Sequence, residues 1–220
     1  MAVPPPHGAH RCSAAAAKTR QRGRRALAPV RRHDAASPRR MPISGVDKRA
    51  LRARMREARL AFAATEPIRV APEFMECLGA GMTVASYRPM PGEADPAPLE
   101  RAATVAGCRL ALPFLTDRSP PMRFRRWDDA LVAGPYGIEQ PPANAPEVEP
   151  DIILTPLVAF DRKGVRLGQG AGFYDRAFAE HGQAWRVGVA WSVQEADMLP
   201  IDAWDVPLHA IATEKEWITP

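Results

Sequence analysis

The sequence predicts an α/β protein with a single main domain built on a mainly parallel, helix-flanked open sheet. Short apolar runs bounded by Pro, Gly and Asp alternate with helical patterns, which is the arrangement that successive βα units produce. Residues 152–158 are largely apolar, so we expect a central strand buried on both faces. The length of 220 residues is close to that of one large domain.

The individual elements follow from periodicity and from breaker residues. Apolar residues recur at three- to four-residue spacing from Leu51 to Phe62, after a candidate cap at Ser44 or Asp47, which predicts an amphipathic helix. Further helices are predicted over residues 66–78, 96–106 and 172–181. Strands are predicted over residues 82–87, 109–114, 122–127, 151–160, 185–191 and 208–212.

The beginning of the chain differs in composition from the rest. Residues 1–40 carry ten Lys or Arg and one acid, Asp34, whereas residues 41–220 carry 20 basic and 24 acidic residues. The net charge of +5 therefore comes from the first 40 residues. Rich in Arg, Pro and Ala and without apolar periodicity, residues 1–40 are predicted to be a disordered basic tail before a globular domain at 41–220. The tail could reflect a start codon upstream of Met41, an Arg-rich targeting peptide or a basic arm.

Several classes of protein are disfavoured by composition. Cys12, Cys77 and Cys108 lack CxxC or zinc-ligand spacing. No stretch approaches the ~20 apolar residues that span a bilayer, and the start lacks the order of a secretory signal. Residues 1–40 contain no Phe, Tyr or Trp to stack on nucleic-acid bases. We expect a cytoplasmic monomer that acts on small molecules, without a nucleic-acid or membrane partner.

A Gly-rich loop after the predicted central strand is the first candidate site, since ligands bind beyond the carboxyl ends of such strands. Gly168, Gly170 and Gly172 alternate before a helical pattern, so successive amide N–H groups could converge on phosphate oxygens. Arg166 could supply a full charge, and Asp175 is the kind of oxygen ligand that Mg²⁺ takes. The segment lacks both the P-loop GK[ST] and the GxGxxG spacing, and a turn without a ligand is the alternative.

The surrounding segments carry a more specific signal. The longest reads PLVAFD from Pro156, then Gly164, then RLGQGAGFYDR from Arg166 to Arg176. Others read KRALR at 48–52, YRPMPGE at 87–93, YGIEQP at 136–141 and DVPLHAIAT at 205–213. Together, over residues 47–217, they resemble the 5-formyltetrahydrofolate cyclo-ligase family, also called methenyltetrahydrofolate synthetases.

The resemblance implies an enzyme that converts 5-formyltetrahydrofolate and ATP to 5,10-methenyltetrahydrofolate, ADP and phosphate, through a phosphorylated formyl oxygen. Both nucleophiles belong to the substrate, so no catalytic serine or cysteine is required. The five scattered histidines are interpreted as structural. The resemblance also implies Mg²⁺ as cofactor, ATP as co-substrate and a three-layer architecture similar to that of sugar-phosphate isomerases and CoA transferases.

The resemblance assigns roles to individual residues. ATP is expected at Lys48, Arg49, Arg52, Arg166, Leu167, Gly168, Gln169, Gly170, Ala171, Gly172, Phe173 and Tyr174. The folate is expected at Arg88, Met90, Glu93, Gln169, Gly170, Ala171, Gly172 and Phe173. Arg166 and Asp175 are the expected catalytic residues, and Asp175 and Asp205 the expected metal ligands. A carboxylate such as Glu93 can accept bidentate hydrogen bonds from a pterin edge. Arg54, Arg56 and Arg59 are expected to be solvated.

The chain departs from the family pattern at three positions. Ala171 stands where Gly or Lys is common, Phe173 where Tyr is usual, and His209 where Asp is common.

Three alternatives stay open: a cyclo-ligase-like protein with another substrate or none, an isomerase or transferase on a similar sheet, and an RNA-binding protein that uses the basic tail.

Deleting residues 2–40 should leave the rate of cyclisation unchanged, because their composition offers no apolar pattern that could pack on an enzyme. The full-length and truncated chains are compared by the absorbance of the methenyl product at equal enzyme concentration. A truncated chain that folds but cannot turn over would refute this expectation.

Overall fold

The computed structural model describes residues 47–116, 122–128 and 130–220. The predicted tail 1–40, its boundary with the domain 41–220 and the candidate cap Ser44 lie outside these ranges, so they stay predictions. Within the described ranges, no helix combines the length and the apolar character needed to cross a membrane.

The described residues form a seven-stranded sheet and two separate two-stranded sheets. The strands are β1 (Thr83–Ala85), β2 (Arg109–Phe114), β3 (Arg123–Arg126), β4 (Val132–Ala133), β5 (Glu139–Gln140), β6 (Ile152–Pro156), β7 (Ala159–Phe160), β8 (Arg166–Leu167), β9 (Trp185–Val189), β10 (Ala210–Ala212) and β11 (Trp217–Ile218). The helices are α1 (Lys48–Ala61), α2 (Pro72–Glu76), α3 (Ala97–Val105) and α4 (Phe173–Glu180), with 3₁₀ turns at Pro135–Gly137 and Ser192–Gln194.

The order of the sheet is β11-β10-β9-β6-β1-β2-β3. The five inner strands pair in parallel, and the two edge strands β3 and β11 pair antiparallel to their neighbours. Two-stranded hairpins, β4–β5 and β7–β8, lie outside the sheet. This architecture confirms the predicted α/β class with a mainly parallel sheet.

Helices cover both faces of the sheet. Successive residues of a strand point to opposite faces, so β6 contributes to two apolar layers. Ile152 and Leu154 pack in one layer with Leu99 of α3. Ile153 packs in the other layer with Phe178 of α4. Because residues 152–155 of β6 are buried and point alternately to both faces, β6 is the central strand that the sequence predicts.

The first helix, α1, packs over the β7–β8 hairpin rather than on the main sheet. Leu51 and Met55 of α1 form an apolar cluster with Val158, Ala159 and Leu167. The hairpin leads directly into the Gly-rich residues 168–172 and then into α4. The fold therefore places the amino-terminal helix against the Gly-rich region.

One predicted helix is much shorter than expected. The helix predicted over residues 66–78 is reduced to the five residues of α2, which begins at Pro72. A residue before proline is driven out of the helical region, and Ala71 has extended angles of φ −83° and ψ 152°. Glu66 precedes Pro67 in the same way, so residues 66–71 could not continue a helix.

The strand predicted over residues 151–160 is two separate strands. β6 ends at Pro156, and β7 pairs antiparallel with β8 outside the main sheet. Between them, the carbonyl oxygens of Leu157 and Val158 accept hydrogen bonds from Gln194 Nε2 at 2.7 and 3.1 Å. These carbonyl groups therefore stay paired where the chain departs from the sheet. Arg166 lies on strand β8 rather than in a loop.

Gly164→Ala should lower the free energy of unfolding by about 1–3 kcal/mol, because the substitution adds a clash to a strained backbone. Gly164 has φ +79°, and a Cβ there would lie 2.7 Å from the Leu208 carbonyl oxygen. Gly81→Ala is the matched control, since Gly81 has φ +86° but no atom within 4 Å of its Cβ position. Urea unfolding compares the two variants. Equal losses would contradict the steric explanation.

Candidate active site

One face of α1 carries four cations, Lys48, Arg52, Arg56 and Arg59, which we call the basic row. Residues three and four apart lie on the same side of a helix, so these side chains follow one another along α1. Each of the four has a polar partner outside α1. The basic row therefore faces other parts of the site.

Lys48 begins the basic row and contacts two carboxylates. Its Nζ lies 2.6 Å from Asp202 Oδ2 and 3.2 Å from Asp205 Oδ2. Burial opposes the charge on Lys48, but the hydrogen bonds to Asp202 and Asp205 outweigh burial and raise its pKa. The predicted metal ligand Asp205 is thus paired with a predicted phosphate-binding residue.

The middle of the basic row holds the Gly-rich segment, residues 168–172. Arg52 Nε donates to the Gly168 carbonyl oxygen at 2.9 Å. Arg56 Nη2 donates to Gln169 Oε1 at 2.6 Å. Gly170 has φ +106°, and a Cβ there would lie 3.5 Å from Arg52 Cζ. The Cβ distance is an ordinary contact, so the positive φ, rather than a lack of space, is what favours glycine at position 170.

The Gly-rich segment ends where α4 begins. Gly172 precedes α4 with φ +67°, in the left-handed region, and no side chain caps the helix. Arg176 Nη2 donates to the Ala171 carbonyl oxygen at 2.8 Å. Phe173 packs edge-on against Tyr136 of the β4–β5 hairpin, with ring centroids 6.1 Å apart. The first-turn N–H groups of α4 and its positive dipole end lie beside the segment.

Arg166 and Asp175 form a largely buried ion pair. Arg166 Nη2 lies 2.7 Å from Asp175 Oδ1, and the side chains are 4% and 20% exposed. The guanidinium also lies over the Phe178 ring, 4.7 Å from its centroid. Burial lowers the pKa of Arg166, and the charges of Asp175 and Asp205 oppose that shift. The two predicted catalytic residues are therefore in direct contact, close to Asp205.

Glu93 joins the loop of residues 87–93, which we call the substrate loop because the folate is expected to bind there, to the Gly-rich segment. Its Oε2 accepts a hydrogen bond from the Met90 N–H at 3.0 Å. Its Oε1 accepts from Gln169 Nε2 at 3.1 Å and lies 3.3 Å from Arg59 Nη1. The side chains of Glu93 and Arg59 are each 5% exposed. The predicted folate-binding acid is thus one hydrogen bond from the predicted nucleotide-binding segment.

Two tyrosines line the region around Glu93. Burial raises the pKa of Tyr87, and the negative charge of Glu93 raises it further. Burial likewise raises the pKa of Tyr174, again with a contribution from Glu93. Tyr87 donates its hydroxyl hydrogen to the Ala94 carbonyl oxygen, which holds the substrate loop closed on itself. Glu93 therefore lies among aromatic residues as well as cations.

Other predicted site residues lie at the margin of this cluster. The Arg49 side chain is exposed, and the backbone N–H of Arg49 donates to Oδ1 of the cap residue Asp47 at 2.8 Å. Arg88 lies over the Trp127 ring and 3.9 Å from Glu139 Oε2. Met90 is 41% exposed beside Glu93. Leu167 is buried under α1, so its side chain serves the packing of the hairpin.

The sequence analysis expected the side chains of Arg54, Arg56 and Arg59 to be solvated, and the structure differs for Arg56 and Arg59. Arg54 is exposed as expected. Arg56 instead bonds Gln169, and Arg59 is buried against Glu93. Arg59 continues the apolar series Leu51 and Met55 at four-residue spacing, and these three are the buried residues of α1. A cation in phase with a buried stripe was the signal that could have revealed Arg59.

The two histidines in the described domain have structural partners, as expected. His181 is buried, and its Nδ1 lies 2.6 Å from Glu149 Oε2. The His209 ring nitrogens lie next to Arg186, 3.0 Å from its backbone nitrogen and 2.6 Å from Nη2. Burial lowers the pKa of His209, and the charge of Arg186 lowers it further. Neither histidine contacts the Gly-rich segment.

Among the described residues, no group of three or more His, Cys, Asp or Glu side chains could hold a metal ion. A site for Mg²⁺ beside phosphates needs only one or two carboxylates, since phosphate oxygens and water complete it.

Separately, a cavity of about 880 Å³ lies along residues 62–70, bordered by Glu214 and Lys215.

Comparisons with known proteins point to the same family that the sequence motifs resemble. The model of the 5-formyltetrahydrofolate cyclo-ligase family matches residues 44–214. The chain is 38% identical over 145 residues to the 5-formyltetrahydrofolate cyclo-ligase of Escherichia coli K12, covering 61% of this chain and 80% of that protein. It is 32% identical over 149 residues to the enzyme of that name from Mycolicibacterium smegmatis, covering 63% and 76%.

Solved structures agree as well. The NMR structure of Aquifex aeolicus 5,10-methenyltetrahydrofolate synthetase is similar with a TM-score of 0.63 and 33% sequence identity. The similarity covers 78% of this chain and 92% of that one. The chain belongs to the 5-formyltetrahydrofolate cyclo-ligase family of ligases.

Proposed function

We propose that the basic row, the Gly-rich segment and Glu93 carry out in this chain the ATP-dependent cyclisation of 5-formyltetrahydrofolate, the reaction of its family. The observation that supports this most strongly is the 3.1 Å hydrogen bond from Gln169 Nε2 to Glu93 Oε1. It brings a segment suited to phosphates next to a carboxylate suited to a pterin. A folate on Glu93 would then have its formyl group beside the terminal phosphate.

The reaction proceeds in two steps. The formyl oxygen attacks the γ-phosphorus of ATP, the bond to the bridging oxygen breaks, and ADP leaves. The product of this step is an imidate phosphate, in which the poor leaving oxygen has become a good one. The neighbouring folate nitrogen then attacks the formyl carbon, its N–H proton passes to the departing phosphate or to water, the carbon–oxygen bond breaks, and phosphate leaves with the oxygen. Because both nucleophiles are substrate atoms, the protein contributes orientation and charge stabilisation.

The nucleotide phosphates bind, in this proposal, between α1 and the Gly-rich segment. Lys48 and Arg52 reach that region from the basic row, and Arg166 reaches it from β8. Amide N–H groups of residues 168–172 and of the first turn of α4 supply further donors. Ala171 provides no positive charge, so Arg166, with Mg²⁺ when bound, would neutralise more of the developing charge.

The arrangement of Asp175 and Asp205 fits a Mg²⁺ ion that is shared with phosphate oxygens. The two side chains are 20% and 16% exposed, and each is bonded to a cation through one oxygen atom. Both lie close enough to Arg166 to oppose the lowering of its pKa. Bound there, Mg²⁺ would neutralise charge on the transferred phosphoryl group. Asp175 is the principal ligand in this proposal, because it is the residue that matches the magnesium-binding aspartate expected from the family resemblance.

The folate site in this proposal is built around Glu93. Its carboxylate accepts hydrogen bonds from the pterin amino and ring N–H groups. Met90 and Phe173 provide apolar contact for the ring system, and Phe173 retains the ring but not the hydroxyl of the usual tyrosine. A cytoplasmic monomer that acts on these two small molecules, without nucleic acid, stays our prediction.

The protein should form the methenyl product only when 5-formyltetrahydrofolate, ATP and Mg²⁺ are all present. The absorbance of that product is followed after mixing purified protein with all components, and with each one omitted in turn. Product formed without ATP, or no product from folded protein in the complete mixture, would contradict the proposed reaction.

Asp175→Asn should lower kcat by about 100-fold or more, because the amide removes the charge that holds Mg²⁺ beside the phosphates. Asp128→Asn is the matched control, since Asp128 is 60% exposed and pairs with Arg126 at 2.6 Å. Steady-state rates are measured at increasing Mg²⁺, and a thermal melt confirms folding. Unchanged turnover and Mg²⁺ dependence in folded Asp175→Asn would remove the metal assignment.

A further inference from the structure

Arg59 is a buried cation on the inner side of α1. Its side chain is 5% exposed, and it shares the buried face of the helix with Leu51 and Met55. Removing a guanidinium from water costs several kcal/mol unless a charge partner and hydrogen bonds compensate for the lost solvation. Its burial therefore requires a specific partner.

The partner of Arg59 is Glu93. Arg59 Nη1 lies 3.3 Å from Glu93 Oε1 and 3.5 Å from the Leu157 carbonyl oxygen. Arg59 Nε has no hydrogen-bond partner within the described part of the chain. The remaining bonds to Glu93 come from neutral donors, Met90 N–H and Gln169 Nε2. Within the described ranges, Arg59 thus supplies the cation of the ion pair with this carboxylate.

We propose that Arg59 is a positioning residue for the folate: it holds the Glu93 carboxylate in the orientation that accepts hydrogen bonds from the pterin edge. This inference rests on the proposed role of Glu93 in folate binding. Without Arg59, the carboxylate would keep its neutral donors but would lose the cation that compensates for its burial, and would turn towards water. That rotation removes an acceptor that the pterin needs.

The contacts divide the basic row between the two substrates. Arg52 bonds Gly168, which is assigned to ATP alone, and Arg56 bonds Gln169, which is assigned to both substrates. Arg59, one turn further along α1, bonds the substrate loop through Glu93. Truncating Arg59 should therefore affect the two Michaelis constants unequally, which a general loss of helix packing would not do.

The first test is a split in the kinetic constants. Arg59→Met should raise the KM for 5-formyltetrahydrofolate by about 10- to 100-fold, the usual effect of removing a residue that orients a binding group. The KM for ATP should stay within about twofold of the parent value. Arg59→Lys should recover part of the folate affinity, since an ammonium group can still pair with Glu93. Arg54→Met, an exposed position on the same helix, is the matched control and should change neither constant.

The second test is a double-mutant cycle with Glu93→Gln, which removes the charge through which Arg59 acts. Arg59→Met should raise the folate KM in the parent but not in the Glu93→Gln background. An equal rise in both backgrounds would overturn the inference, as would an equal rise in both Michaelis constants. If Glu93→Gln alone raises the folate KM while Arg59→Met does not, only the inference fails. If Glu93→Gln leaves the folate KM unchanged, the proposed folate site fails with it.

Discussion

The contact between the basic row of α1 and the Gly-rich segment is the constraint on which the rest of the site depends. Apolar packing of Leu51 and Met55 on the β7–β8 hairpin fixes the helix there. Four cations brought to one helix face repel one another, and oxygen atoms from other elements offset that repulsion. Asp202, the Gly168 carbonyl, Gln169 and Glu93 provide these oxygens. A site that already concentrates positive charge needs little rearrangement to receive a polyanion.

Two buried ion pairs mark the two halves of the site. Arg59–Glu93 lies on the side of the substrate loop, and Arg166–Asp175 lies at the start of α4. Buried pairs contribute little net stability, because desolvation cancels much of their attraction. Their value is geometric and electrostatic, since a charge held in a partly dry site acts more strongly on a ligand than the same charge in water. Their positions are therefore better explained by binding and chemistry than by folding.

The sequence predicted the elements whose signals are local. Strand β2 agrees with its predicted bounds, and α3 differs by one residue at each end, because both have clear periodicity and clear breakers. The Gly-rich segment was recognisable because its chemistry is contained in consecutive residues. The separation of the predicted strand 151–160 into β6 and β7 involves hydrogen bonds from Gln194, more than 30 positions away, and no local pattern predicts those bonds. Arg59 was assigned to solvent because its partner lies in a loop 34 residues further along the chain.

The central claim is tested most directly by a crystal structure of the chain with a non-hydrolysable ATP analogue and 5-formyltetrahydrofolate bound together. The account predicts the terminal phosphate on the amides of residues 168–172 and near Arg166, the pterin on Glu93, and the formyl oxygen in line with the γ-phosphorus. A triphosphate bound elsewhere, or a pterin that makes no contact with Glu93, would contradict it.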